Sequence, residues 1–372
     1  MKRVSSRQLR FVLLLSVVTL KLLFLPSLLY QQCKNSAWVA ALCFFTIEII
    51  FLSSFLTISI KNPDMTFYNM LDKMFGKVIA KIFVFIYFVY FLFKAYLTFH
   101  GNFIFLSKNF YDNLEWYIYA IPLLFVAGYV AYSGIKSVVR MAEIFFPIII
   151  FSAVIAVLLG LFDVDLTNTL PIFDGGFAET ILPINKYVMW FGDSIVFLIF
   201  MGNVQYEKKS RLKIILSVLG VCLFVSFFIL LFISMFGNNA VNHKNAISDV
   251  VQILPTNSDL GGFGWILTLI WDMALFVYFS ILIFATNDLF RNVFYKKYSW
   301  ITIVVISCLV LGLTMLIGFD VQKMIDFVTT FCVYPALIIQ YVIPTIFLIF
   351  LFRLKERKKW NTYGKIKYLL YL

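Results

Sequence analysis

Five ionisable side chains sit where the sequence is otherwise almost wholly apolar: Lys21 in SVVTLKLLFLPSLL, Glu48, Lys94, Asp193 in VMWFGDSIVFLIF, and Asp272 in LIWDMALFVYF. A charge at the centre of a bilayer costs about 2.5–3.5 kcal/mol on insertion scales, so such groups turn inward and pair. Two ammonium groups and three carboxylates nearly neutralise one another where they converge. Lys21 and Asp193 stand apart, because each has a helix-interrupting residue close by, Pro26 and Gly192 respectively. Their pairing is the first expectation. The other three also have simpler uses: Lys94 snorkelling or bonding a tyrosine, Glu48 as a neutral acid joining two helices, Asp272 facing a water-lined pocket. Tyr90, Tyr96, Trp190, Phe191 and Tyr278 are the aromatic candidates for lining a pocket around these charges.

Other chemistry is thin. His100 and His243 are far apart, and Cys33, Cys43, Cys222, Cys308 and Cys332 form no CxxC pair. No metal site, cofactor, Ser-His-Asp triad or other catalytic residue is expected from such a set. GGFGW at 261–265 reads as a loop entering a span rather than a phosphate cradle.

The elements that must position these charges follow from composition. Hydrophobic residues make up 62% of the 372 and charged residues 13%, more apolar surface than a soluble domain of this size can bury. Apolar runs of bilayer-spanning length recur throughout, and strand alternation is absent. The fold class is therefore an all-α polytopic membrane protein, a single transmembrane domain over 1–372. Ten spans are expected, at about 10–31, 38–60, 81–106, 116–133, 140–161, 181–205, 213–236, 262–288, 300–318 and 331–352. Assigning connections to alternate sides puts 24 Lys and Arg on one side and four (Lys34, Lys108, Lys244, Lys323) on the other. The positive-inside rule makes the rich side, with both termini, cytoplasmic. The net charge of +12 then reflects topology and contact with anionic lipids, not nucleic-acid binding.

The first span lacks a cleavage pattern and is expected to be retained. The segment 61–80 suits the membrane interface, the connections at 162–180 and 237–261 suit short amphipathic helices on the outer face, and the basic tail 353–372 suits a lipid surface. Ten spans divide five and five, which places the halves in opposite orientations, as inverted repeats require. Interruptions at corresponding positions, in spans one and six, would mark a binding site.

The stretches SSRQLRFVLLL…LKLLFLPSLL, GIKSVVRMAEIFFPIII, DVDLTNTLPIFDGGFAETILP and FGDSIVFLIFMGNV resemble the B-subunit family of bacterial spore-germination nutrient receptors. That family lies within the amino acid–polyamine–organocation transporter superfamily. The resemblance runs from about Ser5 to Arg353 and is most specific from Arg140 to Pro147. It implies a ten-helix, LeuT-like 5+5 inverted-repeat fold with helices 1 and 6 interrupted. It also implies a nutrient pocket between spans one, three, six and eight, and partners: a membrane A subunit and a lipoprotein C subunit in the spore inner membrane. On this alignment Thr19 and Lys21 occupy the positions of two family glycines, Asp193 replaces a usual Glu, and Thr98 and Asn102 stand for Arg and Glu. The implied ligand-binding set is Thr19, Lys21, Leu22, Tyr96, Phe191, Gly192, Asp193, Asp272 and Tyr278. The charge network is Lys21, Glu48, Lys94, Asp193 and Asp272.

Two functions fit this reading: a non-enzymatic receptor subunit that detects a small nutrient such as an amino acid, and a proton-coupled secondary transporter of amino acids or small amines. A lipid-handling membrane enzyme fits less well, since no nucleophile–base pair is visible.

Overall fold

The computed structural model describes residues 3–109, 115–173, 176–252, 261–293 and 299–350. The tail 353–372 and residues 253–260 of the connection 237–261 therefore lie outside the described residues. The described chain is mostly helical: α1 (Ser6–Cys33), α2 (Ala37–Lys61), α3 (Phe67–Phe75), α4 (Lys77–Asn109), α5 (Trp116–Tyr132), α6 (Ile135–Gly160), α7 (Phe177–Ile181), α8 (Phe197–Phe200), α9 (Ser210–Phe236), α10 (Ala246–Gln252), α11 (Gly261–Val293), α12 (Ser299–Ile317), α13 (Val321–Phe331) and α14 (Val333–Leu337). Among the described residues, seven helical runs are long and apolar enough to cross a membrane. One of them, Ser6–Lys61, is α1 and α2 in series across the 3-10 turn Lys34–Ser36. The apolar α5 is shorter.

α1 is the axis of the bundle. Ser5 caps it, accepting from the Gln8 N–H at 3.2 Å while its own N–H reaches the Gln8 side chain. From Val12 to Tyr30 every residue is buried, as expected of a helix that is apolar all round and enclosed by others. Large apolar side chains such as Phe125, Phe151, Leu223 and Val304 are exposed on the outer helices. That outer surface suits lipid, whereas α1 from Val12 to Tyr30 is enclosed by protein.

The expected interruption of span one is absent: α1 runs unbroken through Thr19, Lys21 and Pro26. Residues 16–29 contain no glycine, so no residue there favours leaving the helix. Unwinding would also strand backbone groups in a dry interior. The Ser16 and Thr19 hydroxyls instead donate back to Val12 O (2.8 Å) and Leu15 O (2.7 Å). Pro26 removes one N–H without breaking the helix, as membrane helices tolerate.

Span six is broken. A 3-10 stretch, Leu182–Trp190, gives way to extended Phe191 and left-handed Gly192 (φ 74°), then a 3-10 turn Asp193–Val196 and the single turn of α8. Two further expectations change. GGFGW begins α11 as helix, and α10 is enclosed by protein, not laid on the outer face: Ala246 to Val251 are all buried.

The N-terminal end of span one and the C-terminal end of span six are tied together. β1 (Val4–Ser5) pairs in parallel with β2 (Val204–Gln205), Arg3 bonds Asp64, and Arg7 and Gln8 both bond Glu143 of α6. Gly202 (φ 81°) passes beneath the α2–α3 connection, where a Cβ would stand 2.7 Å from the Thr66 backbone nitrogen. Gly202→Ala is expected to destabilise by roughly 1–3 kcal/mol through this strain, seen as a lower melting temperature of the purified protein in detergent.

Candidate functional site

The break in span six presents a carboxylate and free backbone groups to the bundle interior. Gly192 permits the left-handed turn that ends one helical piece and starts the next. The orphaned groups are then met by charged side chains of neighbouring helices. The Phe191 carbonyl accepts from Lys94 Nζ at 3.1 Å, and the Ser194 N–H donates to Glu48 Oε1 at 2.7 Å.

Asp193 is the hub. Lys21 Nζ bonds its Oδ2, Lys94 Nζ bonds Oδ1 at 2.7 Å, and the Tyr278 hydroxyl donates to Oδ1 at 2.7 Å. These groups are sealed from solvent: Lys21 is 0% exposed, Lys94 1%, Tyr278 1%, Glu48 2% and Asp193 4%. Aromatic faces complete the enclosure. Lys21 Nζ lies 5.7 Å from the Phe45 ring centre and 5.9 Å from that of Phe191, and Lys94 Nζ lies 5.9 Å from that of Tyr90, distances at which cation–π attraction operates. In formal charge Lys21 and Lys94 balance Asp193 and Glu48. This balance explains how two ammonium groups persist in an apolar interior.

The elements align these groups by helical spacing. On α4, residues 87, 90 and 94 share a face: Tyr87 OH donates to Ile339 O at 3.2 Å, Tyr90 OH accepts from Gln340 Nε2 at 3.1 Å, and Lys94 reaches the break. Gln340 lies in a π-helical turn, Ile338–Val342, beyond α14. Pro344 has no N–H to donate to the carbonyl four residues back, and a widened turn accommodates such a loss. A Cβ on Gly192 would fall 2.5–2.8 Å from Gln340 side-chain atoms, so glycine is required there by contact as well as by φ.

The structure thus brings Lys21, Glu48, Lys94, Phe191, Gly192, Asp193 and Tyr278 together. It does not bring the rest. The Thr19 hydroxyl is spent on its own helix, and Leu22 is a buried core residue. Tyr96 turns to another face of α4, packing on Phe93 and His100. Asp272 is six residues from Tyr278, about 240° around α11, and its buried Oδ1 has no partner among the described residues. It does not join the Asp193 network. Sequence reasoning passed over Gln340, Phe45 and Ser194. The available signal for Gln340 was a lone carboxamide in an apolar run between Pro335 and Pro344.

Residues 3–323 match the family model described as spore germination protein. The chain belongs to the spore germination protein family. Spore germination protein YndE of Bacillus subtilis (strain 168) is 22% identical over 306 residues, 79% of this chain and 82% of that protein. Among solved structures, a Na+-coupled sialic acid symporter in a substrate-bound outward-open state aligns with TM-score 0.58 at 13% identity, covering 91% of this chain and 79% of that one. The likeness is one of fold. The chain is an integral membrane protein whose helical architecture is similar to that of this symporter.

The hub geometry predicts an asymmetry. Removing one partner of a buried ion pair costs about 3–5 kcal/mol. Asp193→Asn strands two ammonium groups, whereas Lys21→Met or Lys94→Met leaves the other lysine paired. Asp193→Asn should therefore lower the melting temperature most. Exchanging Lys21 and Asp193 should not restore stability, because the new lysine would face Lys94.

Proposed function

We propose that this protein is the membrane subunit of a spore germinant receptor, binding a small nutrient such as an amino acid at the span-six break and signalling to partner subunits. The observation that carries this reading is the Asp193 carboxylate held between the ammonium groups of Lys21 and Lys94. A ligand carboxylate has the same chemistry, so it can take over one or both lysines. Asp193 would then be freed and the balance between two packings of the break shifted. Lys21 is fixed on a continuous helix, which suits a permanent surrogate for a coupling cation and hence a sensor.

The wider reading is a ten-span, 5+5 inverted-repeat protein without enzymatic activity. Both termini are cytoplasmic, and it works in the spore inner membrane with a membrane A subunit, a lipoprotein C subunit and anionic lipids. Broken helices at the midplane are where such repeats bind their ligands. The fold likeness to a symporter supports a second reading, proton-coupled transport of amino acids or related amines.

Proteoliposomes separate the two. With the standard L-amino acids as probes, the receptor reading expects saturable binding without accumulation; ligand-driven accumulation would establish transport. In spores, Lys21→Ala is expected to alter the germination response while the protein's abundance holds. Loss of the protein itself would make Lys21 structural.

A further inference from the structure

The carboxyl of Asp272 stands apart from the hub, and nothing described in this chain answers it. Its Oδ1 is buried without a hydrogen-bond partner, and no hydrogen bond or ion pair among the described residues reaches the group. The Tyr119 hydroxyl of α5, within electrostatic reach of Asp272, is likewise buried and unpartnered among the described residues. The position is well inside the span. Along α11, Asp272 lies about 9 Å from Tyr278 at the hub and about 10 Å short of Trp265. Trp265 is exposed, as are the tryptophans that mark a membrane–water interface.

The neighbours of Asp272 on α11 show what lies on its open side. Asp272 itself is only partly buried. Trp265, Ile266, Leu269 and Met273 are exposed, and at the helical repeat they form one stripe about 100° wide with Asp272 on its border. The other side of the helix is filled: Trp271, Leu275 and Tyr278 are buried. The acid therefore sits where α11 passes from its own bundle to lipid. Acyl chains offer no hydrogen-bond donor, and a charge at this depth is retained where it meets an opposite one. We propose that this face of α11 seats a transmembrane helix of another chain, and that this helix presents a lysine or arginine to Asp272. Charge fixes the class of occupant. A cationic side chain supplies both the donor and the compensating charge, whereas a wholly apolar helix covers the stripe and leaves the carboxyl unanswered. The inference stands on the lipid-facing surface and is independent of what the Asp193 hub binds.

The test uses the full-length protein in phosphatidylcholine vesicles, with a dye at its C-terminus, and measures energy transfer to labelled transmembrane peptides. The probes are three otherwise identical leucine-rich helices carrying a lysine, a glutamate or a further leucine at the depth of Asp272. The wild type is expected to hold the lysine helix about tenfold or more tightly than the leucine helix, and the glutamate helix least. Asp272→Asn should abolish the lysine preference, and Asp272→Lys should turn it toward the glutamate helix. Leu269→Trp enlarges a side chain of the stripe and leaves the carboxyl in place, so it should weaken association of the lysine helix. Equal association of the lysine and leucine helices with the wild type, or a lysine preference that survives Asp272→Asn, overturns the proposal. An unchanged response of Leu269→Trp overturns the assignment to this face. Should an Asp272 variant fail to fold, the wild-type comparison and Leu269→Trp still decide. Amino-acid binding is read with other probes, so neither result bears on the hub.

Discussion

One carboxylate between two ammonium groups governs the interior of this protein. Asp193 accepts from Lys21, Lys94 and Tyr278, drawing α1, α4 and α11 onto the broken segment. Each lysine would be unaffordable alone in an apolar medium, and each is retained because the same acid serves both. Glu48 supplies the second negative charge from α2 while holding the Ser194 N–H. Electrostatic compensation and backbone satisfaction are thus one arrangement: the charges that need partners also cap the groups that the break exposes.

The two central segments divide the work. α1 contributes a rigid, fully wound axis and a fixed cation, whereas the sixth span contributes the irregular backbone. Gly192 sets the turn, Phe191 offers its carbonyl, and Ser194 offers its N–H. Gln340 closes the arrangement from a π-helical turn that Pro344 favours. A polar centre of this kind is stable only where every neighbour is protein, which is the situation of α1 and not of the lipid-facing outer helices.

Much of this was legible in the residues. Long apolar runs and a charge distribution skewed to one set of connections point to a membrane-embedded helical fold, which the family match and the fold likeness support. The partnership of Lys21 and Asp193 is legible because an ammonium and an acid in apolar runs require one another. Lys94 was harder, since a lone lysine on an aromatic helix is also compatible with snorkelling. The wound state of α1 is hidden in the sequence because Pro26 resembles a breaker. In a dry core the alternative to helix is an unsatisfied backbone, and no glycine was present to ease it. The separation of Asp272 from the hub is not legible, because its face on α11 depends on helical phase relative to Tyr278, which distance along the sequence hides. Gln340 escaped notice because a neutral amide carries no alarm comparable to a charge.

The short parallel pairing of Val4–Ser5 with Val204–Gln205 has a mechanical meaning. α1 begins at the very next residue, and the paired strand ends the broken segment that carries Asp193. The first and sixth spans are therefore spliced where one begins and the other ends, as well as bridged at their middles. Slippage of one past the other must either drag its mate or snap two ladder rungs together with the Arg7 and Gln8 grips on Glu143. A splice of that kind couples the two segments mechanically: displacing either one loads the seam and, through it, the other.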